Sequence, residues 1–491
     1  MDAHVVARYA TNLRPDDDHP YRTGPWRPQH TEHNASDLEV VGELPADLNG
    51  VYLRNTENPL HDSIGRYHPF DGDGMIHMVN FREGTAEYRN RFVRTVGFEA
   101  EREAGGPLWA GIMERPEKSL RDGWGARTRL KDASSTDVVV HAGVAVSTHY
   151  QCGDAYRLNP TTLEPMGRED WHGNFPTELG ISAHPKVDEA TDEMMFFNYS
   201  KNAPYMHYGV VNSQRELTNY IPIELPGPRL PHDMAFTENY SILNDCPTFW
   251  DPEALERNIH AVRFYRELPT RFAIVPRLGT AADIRWFEAD PTFILHFINA
   301  YEEGEEIVLD GFFQLHPEPD RRPDDGPFEM MFRFIDNHRL QPKPYRWRFN
   351  LRTGRTTEGF IDDRLLEFGT INNRFGGRKH TYTYGATAKP GWFLFTGLVK
   401  LNVDSGETQR FECPDGVYLS EAPLAPRTGS GPGAAEDDGY LTTFISDMRN
   451  DTSECWVFDA KDITPGPIAR VKLPERISFG THACWADASM L

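Results

Sequence analysis

The stretch Pro291–Gly304, PTFILHFINAYEEG, is a run of mostly apolar, β-forming residues that ends at an acidic turn. A single histidine, His296, interrupts it. A buried imidazole without a partner costs roughly 1–3 kcal/mol, so His296 either bonds to a backbone carbonyl in the core or belongs to a site. Histidines in comparable surroundings are His184 in ISAHPKV, His232 in RLPHDMAF and His482 in ISFGTHACW. Four such histidines indicate a common site if the fold brings them together.

A short pattern recurs along the chain: an apolar or aromatic residue, any residue, an apolar residue and then Asn or Asp, followed by turn residues. The copies YRLN, GVVN, WRFN, VKLN and WVFD end at Asn159, Asn212, Asn350, Asn402 and Asp459. Most are about 50 residues apart, and the one long interval is close to three such units, which predicts seven units with two unmarked. Repeats of this length with short strands are typical of β-propeller blades, so we predict an all-β propeller; a large β-sandwich with coincidental spacing is the alternative.

The histidines take a defined place in this repeat. His184, His232 and His482 each follow a copy of the pattern by about one strand, turn and strand, where the inner strand of the next blade should run. Inner strands of a propeller converge on one axis, so the four histidines would meet there.

Four neutral imidazoles without a thiolate suit iron, zinc, copper or nickel. Four ligands at octahedral positions would leave two open positions for dioxygen at ferrous iron, whereas a structural zinc site would be closed and tetrahedral. Ligating histidines usually pass their second N–H to a carboxylate. Glu367 and Glu421 lie among apolar or small residues and are candidates for that role; the alternative is that both are surface glutamates.

Composition excludes several other classes. The 491 residues carry a net charge of −23, which disfavours a nucleic-acid partner and general attraction to anionic lipid. The five cysteines are scattered without CxxC spacing, so neither a disulfide framework nor a zinc–thiolate site is indicated. The chain shows no signal-peptide pattern and no long apolar run, and we expect a cytoplasmic protein.

Residues 1–35 are polar and rich in proline and histidine, which predicts an N-terminal arm that wraps the body or is partly disordered. Residues 36–491 are predicted to form a single β-propeller domain. The clearest helical stretch is Asp251–Leu268, where Asp-Pro suits the N-cap and first position of a helix.

From about Leu38 to Trp485 the sequence resembles the carotenoid cleavage oxygenases. The blocks that carry the resemblance are LEVVGELPADLNGVYLRNTENP, YHPFDGDGMIHMVNF, YRNRFVRT, SAHPKVD, PHDMAFTENY, DIRWFEADPTFILHFINAYEEG, EAPLAPR with EDDGYL, and GTHACW. The resemblance implies a seven-bladed β-propeller with a loop and helix dome over one face. It also implies an Fe(II) oxygenase that cleaves a C=C bond of a carotenoid, an apocarotenoid or a stilbene.

By motif, the resemblance assigns the Fe(2+) ligands to His184, His232, His296 and His482. The family's outer carboxylates match Glu367 and Glu421, and the third falls on Gln151, which is uncharged; a register shift of one residue in this loop is the alternative. A threonine that crowds one open iron position in the family matches Thr136.

Members that cleave phenolic substrates use a lysine and a tyrosine at positions that correspond here to Tyr150 and Ile112. The missing lysine favours an apolar polyene, a carotenoid or apocarotenoid, taken up with O2 and with peripheral membrane contact. The alternatives are stilbene or phenylpropenoid cleavage, a non-cleaving isomerase and a carotenoid-binding propeller. The dome is expected from residues 97–132, 247–277 and 315–343. Its candidate tunnel or membrane-facing aromatic residues are Trp109, Phe249, Trp250, Phe264 and Tyr265.

Overall fold

The computed structural model describes residues 1–121, 130–176, 178–326, 333–431 and 433–491. The chain divides into two compact units, the first formed by Met1–Ala183 with Cys413–Leu491 and the second by His184–Glu412. The described α-helices are short: α1 (Val96–Ala104), α2 (Pro252–Leu255) and α3 (Asn337–Leu340). Within these described ranges, no helix has both the length and the apolar character needed to cross a membrane.

Strands make up most of the regular structure. The first unit begins with β1 (Asp2–Arg8), β2 (Thr31–Ser36), β3 (Val40–Gly42), β4 (Gly50–Arg54), β5 (Met75–Arg82), β6 (Thr85–Phe92), β7 (Asp137–His141), β8 (Val144–Thr148), β9 (Tyr156–Leu158) and β10 (Pro165–Arg168). The second unit contains β11 (Lys186–Asp188), β12 (Glu193–Tyr199), β13 (Tyr205–Val211), β14 (Leu217–Glu224), β15 (Ala235–Phe236), β16 (Tyr240–Asp245), β17 (Thr248–Trp250), β18 (Val262–Phe264), β19 (Thr270–Pro276), β20 (Arg285–Ala289), β21 (Phe297–Glu303), β22 (Glu306–Gln314), β23 (Pro342–Asn350), β24 (Thr356–Phe360), β25 (Glu367–Thr370), β26 (Tyr382–Ala388), β27 (Phe395–Asn402) and β28 (Thr408–Glu412). The first unit ends with β29 (Val417–Leu419), β30 (Leu424–Pro426), β31 (Gly439–Asp447), β32 (Thr452–Asp459), β33 (Ala469–Lys472) and β34 (Ala483–Asp487).

In the first unit, strands from both ends of the chain share sheets. One sheet has the order β1-β2-β6-β5-β4-β34, so the last strand pairs antiparallel with β4. A second sheet is β10-β9-β8-β7, and a third contains β29, β31, β32, β33 and β3, with β30 on β31. Residues 1–35 supply β1 and most of β2 and so extend the edge of the first sheet.

The second unit is built from sheets whose strands are antiparallel and follow the chain order. They are β11-β12-β13-β14, β15-β16-β19-β20, β21-β22-β23-β24 and β25-β26-β27-β28. The hairpin β17–β18 is inserted between β16 and β19. Large side chains fill the space between neighbouring sheets. For example, the ring of Phe272 lies 5.5 Å from Trp347 and 4.9 Å from Phe349, centroid to centroid.

The repeated tetrad has a local structural cause. Its last residue makes an Asx turn: the Asn350 side-chain oxygen accepts the backbone N–H groups of Arg352 and Thr353 at 3.1 and 2.8 Å. The side-chain oxygens of four other residues likewise accept backbone N–H groups of the residues that follow them: Asn159, Asn212, Asn402 and Asp459. Asn and Asp recur because their short side chains replace a backbone acceptor in a turn.

The tetrads lie on β9, β13, β23, β27 and β32, and each is followed by one more strand of its sheet. One detail of the predicted repeat is wrong. Two units without a tetrad were expected between Asn212 and Asn350. Among the residues described there, one four-stranded sheet without a tetrad is formed, β15-β16-β19-β20. Inserted segments, including the hairpin β17–β18, account for the extra length.

The predicted helix Asp251–Leu268 forms only at its start. The Asp251 carboxylate accepts the backbone N–H of Ala254 at 2.9 Å, as an N-cap should, but α2 ends at Leu255. Asn258 then adopts a left-handed φ of 55°, which ends the helical path. The following residues pair as β18 with β17, because strand pairing there outweighs helix propensity. Further on, Thr270–Pro276 of the expected dome segment 247–277 is β19, a sheet strand.

Candidate metal centre

Three of the predicted ligands meet in the second unit. His184 lies two residues before β11, His232 three residues before β15, and His296 directly before β21, so each stands where a sheet begins. One ring nitrogen from each residue lies within 4.8 Å of the others. The ring centroids are 4.8 to 5.4 Å apart. His184 holds a left-handed φ of 63°, a conformation that non-glycine residues adopt at a cost and that is concentrated at functional sites.

The donor set fits a divalent transition metal. The Nε2 atoms of His184 and His232 are 3.1 Å apart. Two nitrogens bound to one ion at about 2.1 Å are separated by about 3.0 Å when they subtend a right angle and about 3.4 Å in a tetrahedron. The observed spacing is therefore near the right-angle value. His184 and His296 are buried, with 3% and 6% exposure, so a bound ion would be largely removed from water.

Glu367 orients His296. Its Oε2 lies 2.6 Å from His296 Nδ1 and also accepts the backbone N–H of Phe368 at 2.9 Å. Glu367 is completely buried. Because a carboxylate only accepts hydrogen bonds, Nδ1 of His296 carries the proton and Nε2 offers a lone pair. This is the arrangement that metal-ligating histidines need.

In the first unit, His482 has a similar outer partner. Its Nδ1 lies 3.3 Å from Oε2 of Glu421, and the same oxygen accepts the backbone N–H of Ala483 at 2.6 Å. His482 is 6% exposed and directly precedes β34. Its backbone N–H donates to the carbonyl of Thr136 at 3.4 Å. The residues that the resemblance assigns to the site in this unit therefore include one compact group, His482, Glu421 and Thr136.

The loop between β8 and β9 carries Tyr150 and Gln151, both half-buried. The Tyr150 backbone N–H donates to Oγ1 of Thr136 at 3.1 Å, which places this loop beside the predicted iron-crowding residue. The Tyr150 ring lies 5.5 Å from Phe70. Ile112 is held through its backbone N–H, which donates to the buried carboxylate of Asp71 at 3.0 Å.

Trp109 is 5% exposed and lines a small pocket in the first unit. The wall of that pocket includes Lys131, whose Nζ lies 2.9 Å from Asp73 and 3.0 Å from Glu101. The pocket is therefore lined by paired charges rather than only by apolar side chains.

The remaining predicted aromatic residues lie on or beside the hairpin β17–β18 in the second unit. Phe249 stacks on Tyr265 with a centroid distance of 4.3 Å. Trp250 is buried, and Phe264 is half-buried. The lining of a substrate tunnel by these residues stays a prediction. Positions 122–129 and 327–332 of the expected dome lie outside the described residues.

Sequence reasoning missed Asp233, a 1%-exposed carboxylate that directly follows His232 and lies 2.7 Å from Lys186 Nζ. The sequence contained a signal for this ion pair: Lys186 lies two residues after His184, and the oppositely charged Asp233 lies one residue after His232. It also missed Glu57, a buried carboxyl group whose pKa burial raises to about 8. No local pattern marks Glu57, because its burial depends on strands distant in sequence.

Comparison with known proteins supports the same class. A model of the retinal pigment epithelial membrane protein family matches residues 26–487. The chain is 32% identical over 489 residues to a carotenoid 9,10(9',10')-cleavage dioxygenase of Pisum sativum, covering 93% of this chain and 87% of that protein. The structure of Pseudomonas brassicacearum lignostilbene dioxygenase matches with a TM-score of 0.84 and 25% identity, over 97% of this chain and 100% of that one. Cobalt-substituted Synechocystis ACO, an apocarotenoid oxygenase, matches with a TM-score of 0.81 and 25% identity, over 94% and 98%.

The fold and the histidine cluster define an all-β, propeller-type protein with a candidate metal centre. The chain belongs to the retinal pigment epithelial membrane protein family, and its predicted resemblance to the carotenoid cleavage oxygenases is confirmed. The predicted all-β propeller class is confirmed as well. The number of blades stays a prediction.

Proposed function

We propose that this protein is a non-haem Fe(II) oxygenase that uses O2 to cleave a C=C bond of a conjugated alkene into two carbonyl products. The proposed substrate is a carotenoid or apocarotenoid. The observation that carries the proposal is the cluster of His184, His232 and His296, two of them buried and His232 half-buried, in a chain 32% identical to a carotenoid cleavage dioxygenase.

The three clustered histidines would hold the ion through neutral nitrogens, and His482 is proposed as the fourth ligand. The support for His482 is its carboxylate partner Glu421, which mirrors the pairing of His296 with Glu367. A set of imidazoles without thiolate suits Fe(II). The cobalt substitution reported for the Synechocystis relative supports a divalent metal in this fold.

Bound iron would supply the oxygen chemistry, so no side chain is required as acid, base or nucleophile. The protein's part is to orient the ligands and position the alkene. Glu367 fixes the proton of His296 on Nδ1, and Glu421 is placed to do the same for His482. Thr136 is proposed to restrict one open position beside the ion. Gln151 is proposed as the uncharged counterpart of a third outer carboxylate.

Substrate choice rests on Tyr150 and Ile112, where the family's phenol-binding members have lysine and tyrosine. Without the lysine ammonium, a phenolate would have no cationic partner at position 150. The ring of Tyr150 instead faces Phe70 at 5.5 Å, which favours an apolar polyene. Cleavage of a stilbene or phenylpropenoid is the second candidate, because the solved structures that match include a lignostilbene dioxygenase.

The test uses purified, iron-loaded protein with β-apo-carotenals and with a hydroxystilbene under 18O2, and the products are identified by mass spectrometry. We expect labelled carbonyl products from the apocarotenal. Labelled products from the stilbene alone would support the second candidate. Unlabelled isomers would identify an isomerase, and pigment binding without turnover a binding protein.

Two histidine variants sharpen the test. His296→Ala should abolish turnover because it removes a proposed ligand. His207→Ala should not, because the ring of His207 on β13 stacks on Tyr220 of β14 at 5.1 Å and lies outside the cluster. Equal activity in both variants would contradict the proposal.

A further inference from the structure

We propose that Asp233 is a positioning residue that holds the three clustered histidine segments in register for metal binding. The inference rests on the proposed function, since it requires that the cluster bind a metal ion. Asp233 is not a proposed ligand. It acts through the segments that carry the ligands.

One carboxylate contacts all three segments. Asp233 directly follows His232 in the chain. Its Oδ1 lies 2.7 Å from Nζ of Lys186, which is two residues beyond His184. Its Oδ2 accepts the backbone N–H of Phe297, the residue after His296, at 2.8 Å.

The local geometry of Asp233 is also fixed. Its Oδ1 accepts the backbone N–H of Met234 at 2.7 Å, and its own carbonyl accepts the side-chain amide of Asn244 at 2.7 Å. Asp233 is 1% exposed, so water cannot replace these partners. Because both the side chain and the backbone carbonyl of Asp233 are held by hydrogen bonds, a shift of one histidine segment would be transmitted through Asp233 to the other two.

An ordinary buried ion pair elsewhere in the same unit provides the matched control. Asp310 is completely buried, and its two oxygens accept two hydrogen bonds from Arg346, each 2.7 Å long. Loss of this pair should destabilise the unit. It should leave the histidine segments where they are, because the Asp310 carboxylate bonds to Arg346 of β23, whereas β22 meets the His296 segment through backbone pairing that the substitution leaves in place.

Three variants are compared with the wild type after metal removal: Asp233→Asn, Lys186→Gln and Asp310→Asn. Each protein is titrated with Co2+, and both the dissociation constant and the visible absorption bands of the bound ion are recorded. We expect Asp233→Asn to weaken Co2+ binding about 10- to 100-fold, the range found when residues that orient metal ligands are changed. We also expect its absorption bands to move, because the ligand angles change.

Lys186→Gln should lose less Co2+ affinity than Asp233→Asn, and its absorption bands should move in the same direction. The substitution removes the contact between Lys186 and Asp233 but leaves the carboxylate in contact with the other two segments. It also decides the question if Asp233→Asn does not fold. Asp310→Asn should bind Co2+ with the wild-type affinity and spectrum, although it unfolds at a lower denaturant concentration.

Wild-type Co2+ affinity and an unchanged absorption spectrum in a folded Asp233→Asn protein would overturn the inference. If Asp233→Asn does not fold, the same result in Lys186→Gln would overturn it. An equal loss in Asp310→Asn would also overturn it, because the effect would then be general destabilisation. Failure of the wild type to bind Co2+ would instead refute the proposed function on which the inference rests.

Discussion

Replacement of Glu367 by Gln tests how strongly the outer carboxylate supports the metal centre. In the native protein, Oε2 of Glu367 accepts the Nδ1–H of His296 at 2.6 Å and the backbone N–H of Phe368 at 2.9 Å, with no exposure to solvent. Gln is nearly the same size and can still accept both hydrogen bonds through its amide oxygen. The variant therefore removes the charge and preserves the packing.

The size of the effect follows from the change in hydrogen-bond type. A hydrogen bond to a charged group contributes about 1.5–3 kcal/mol, and a neutral one about 0.5–1.5 kcal/mol. Glu367→Gln should therefore reduce the free energy of metal binding by roughly 1–1.5 kcal/mol, which corresponds to about 5- to 12-fold weaker binding. Glu367→Ala should lose more, within about 10- to 100-fold, because the buried Nδ1–H of His296 would lose its acceptor.

The assay is equilibrium titration of the metal-free protein with Co2+ or Fe2+ under anaerobic conditions. The control is Glu454→Gln, which changes a buried glutamate of the first unit that pairs with Arg470 at 2.7 Å. That variant should be less stable but should bind metal as the wild type does. Unchanged affinity in Glu367→Gln and Glu367→Ala would refute the reasoning, and so would an equal loss in Glu454→Gln.

Three further expectations concern other parts of the chain. Gln151→Glu should lower the Fe(III)/Fe(II) potential, because a negative charge near the ion stabilises the oxidised form; an equal or higher potential in a redox titration would contradict the role of Gln151. Burial lowers the pKa of His68 from about 6.5 to about 3, so the stability that its neutral form provides is present above pH 6.5 and declines as the pH falls. His68→Asn keeps an acceptor for the Phe70 N–H and removes the titrating group, so the unfolding free energy should fall by about 2 kcal/mol less between pH 7 and pH 5 than in the wild type. Urea denaturation of the metal-free protein measures this difference. An unchanged pH dependence would show that His68 does not cause the loss. Asn350→Ala should cost about 1 kcal/mol of unfolding free energy through loss of the Asx turn, whereas Asn350→Asp should cost little; equal stability of the two variants would count against the turn as the cause of the repeat.

Local features of this protein were readable from the sequence. Each tetrad ends in an Asn or Asp whose side chain bonds to N–H groups only two to four residues away, so the repeat is visible in the order of residues alone. The histidines were also found by their immediate surroundings. Residue type and short spacing were enough for the fold class and for the candidate ligands.

The helix predicted over Asp251–Leu268 shows where local evidence ends. Its N-cap is correct, because Asp251 and Ala254 are three residues apart. The rest fails, because β18 is decided by its pairing with β17 and not by the propensity of its own residues.

The sequence offered Glu367 and Glu421 as supporting carboxylates, and only the tertiary structure decided which histidine each of them contacts and added Asp233. The Asp233 carboxylate joins Lys186 and Phe297, which are 47 and 64 residues away in the sequence. Likewise, Glu367 bonds to His296 across 71 residues. No short pattern encodes such contacts, since they exist only after separate sheets have packed together and excluded water from the groups between them. The sequence by itself determined which residues could bind a metal and which two glutamates could support them, and packing determined which groups are actually in contact.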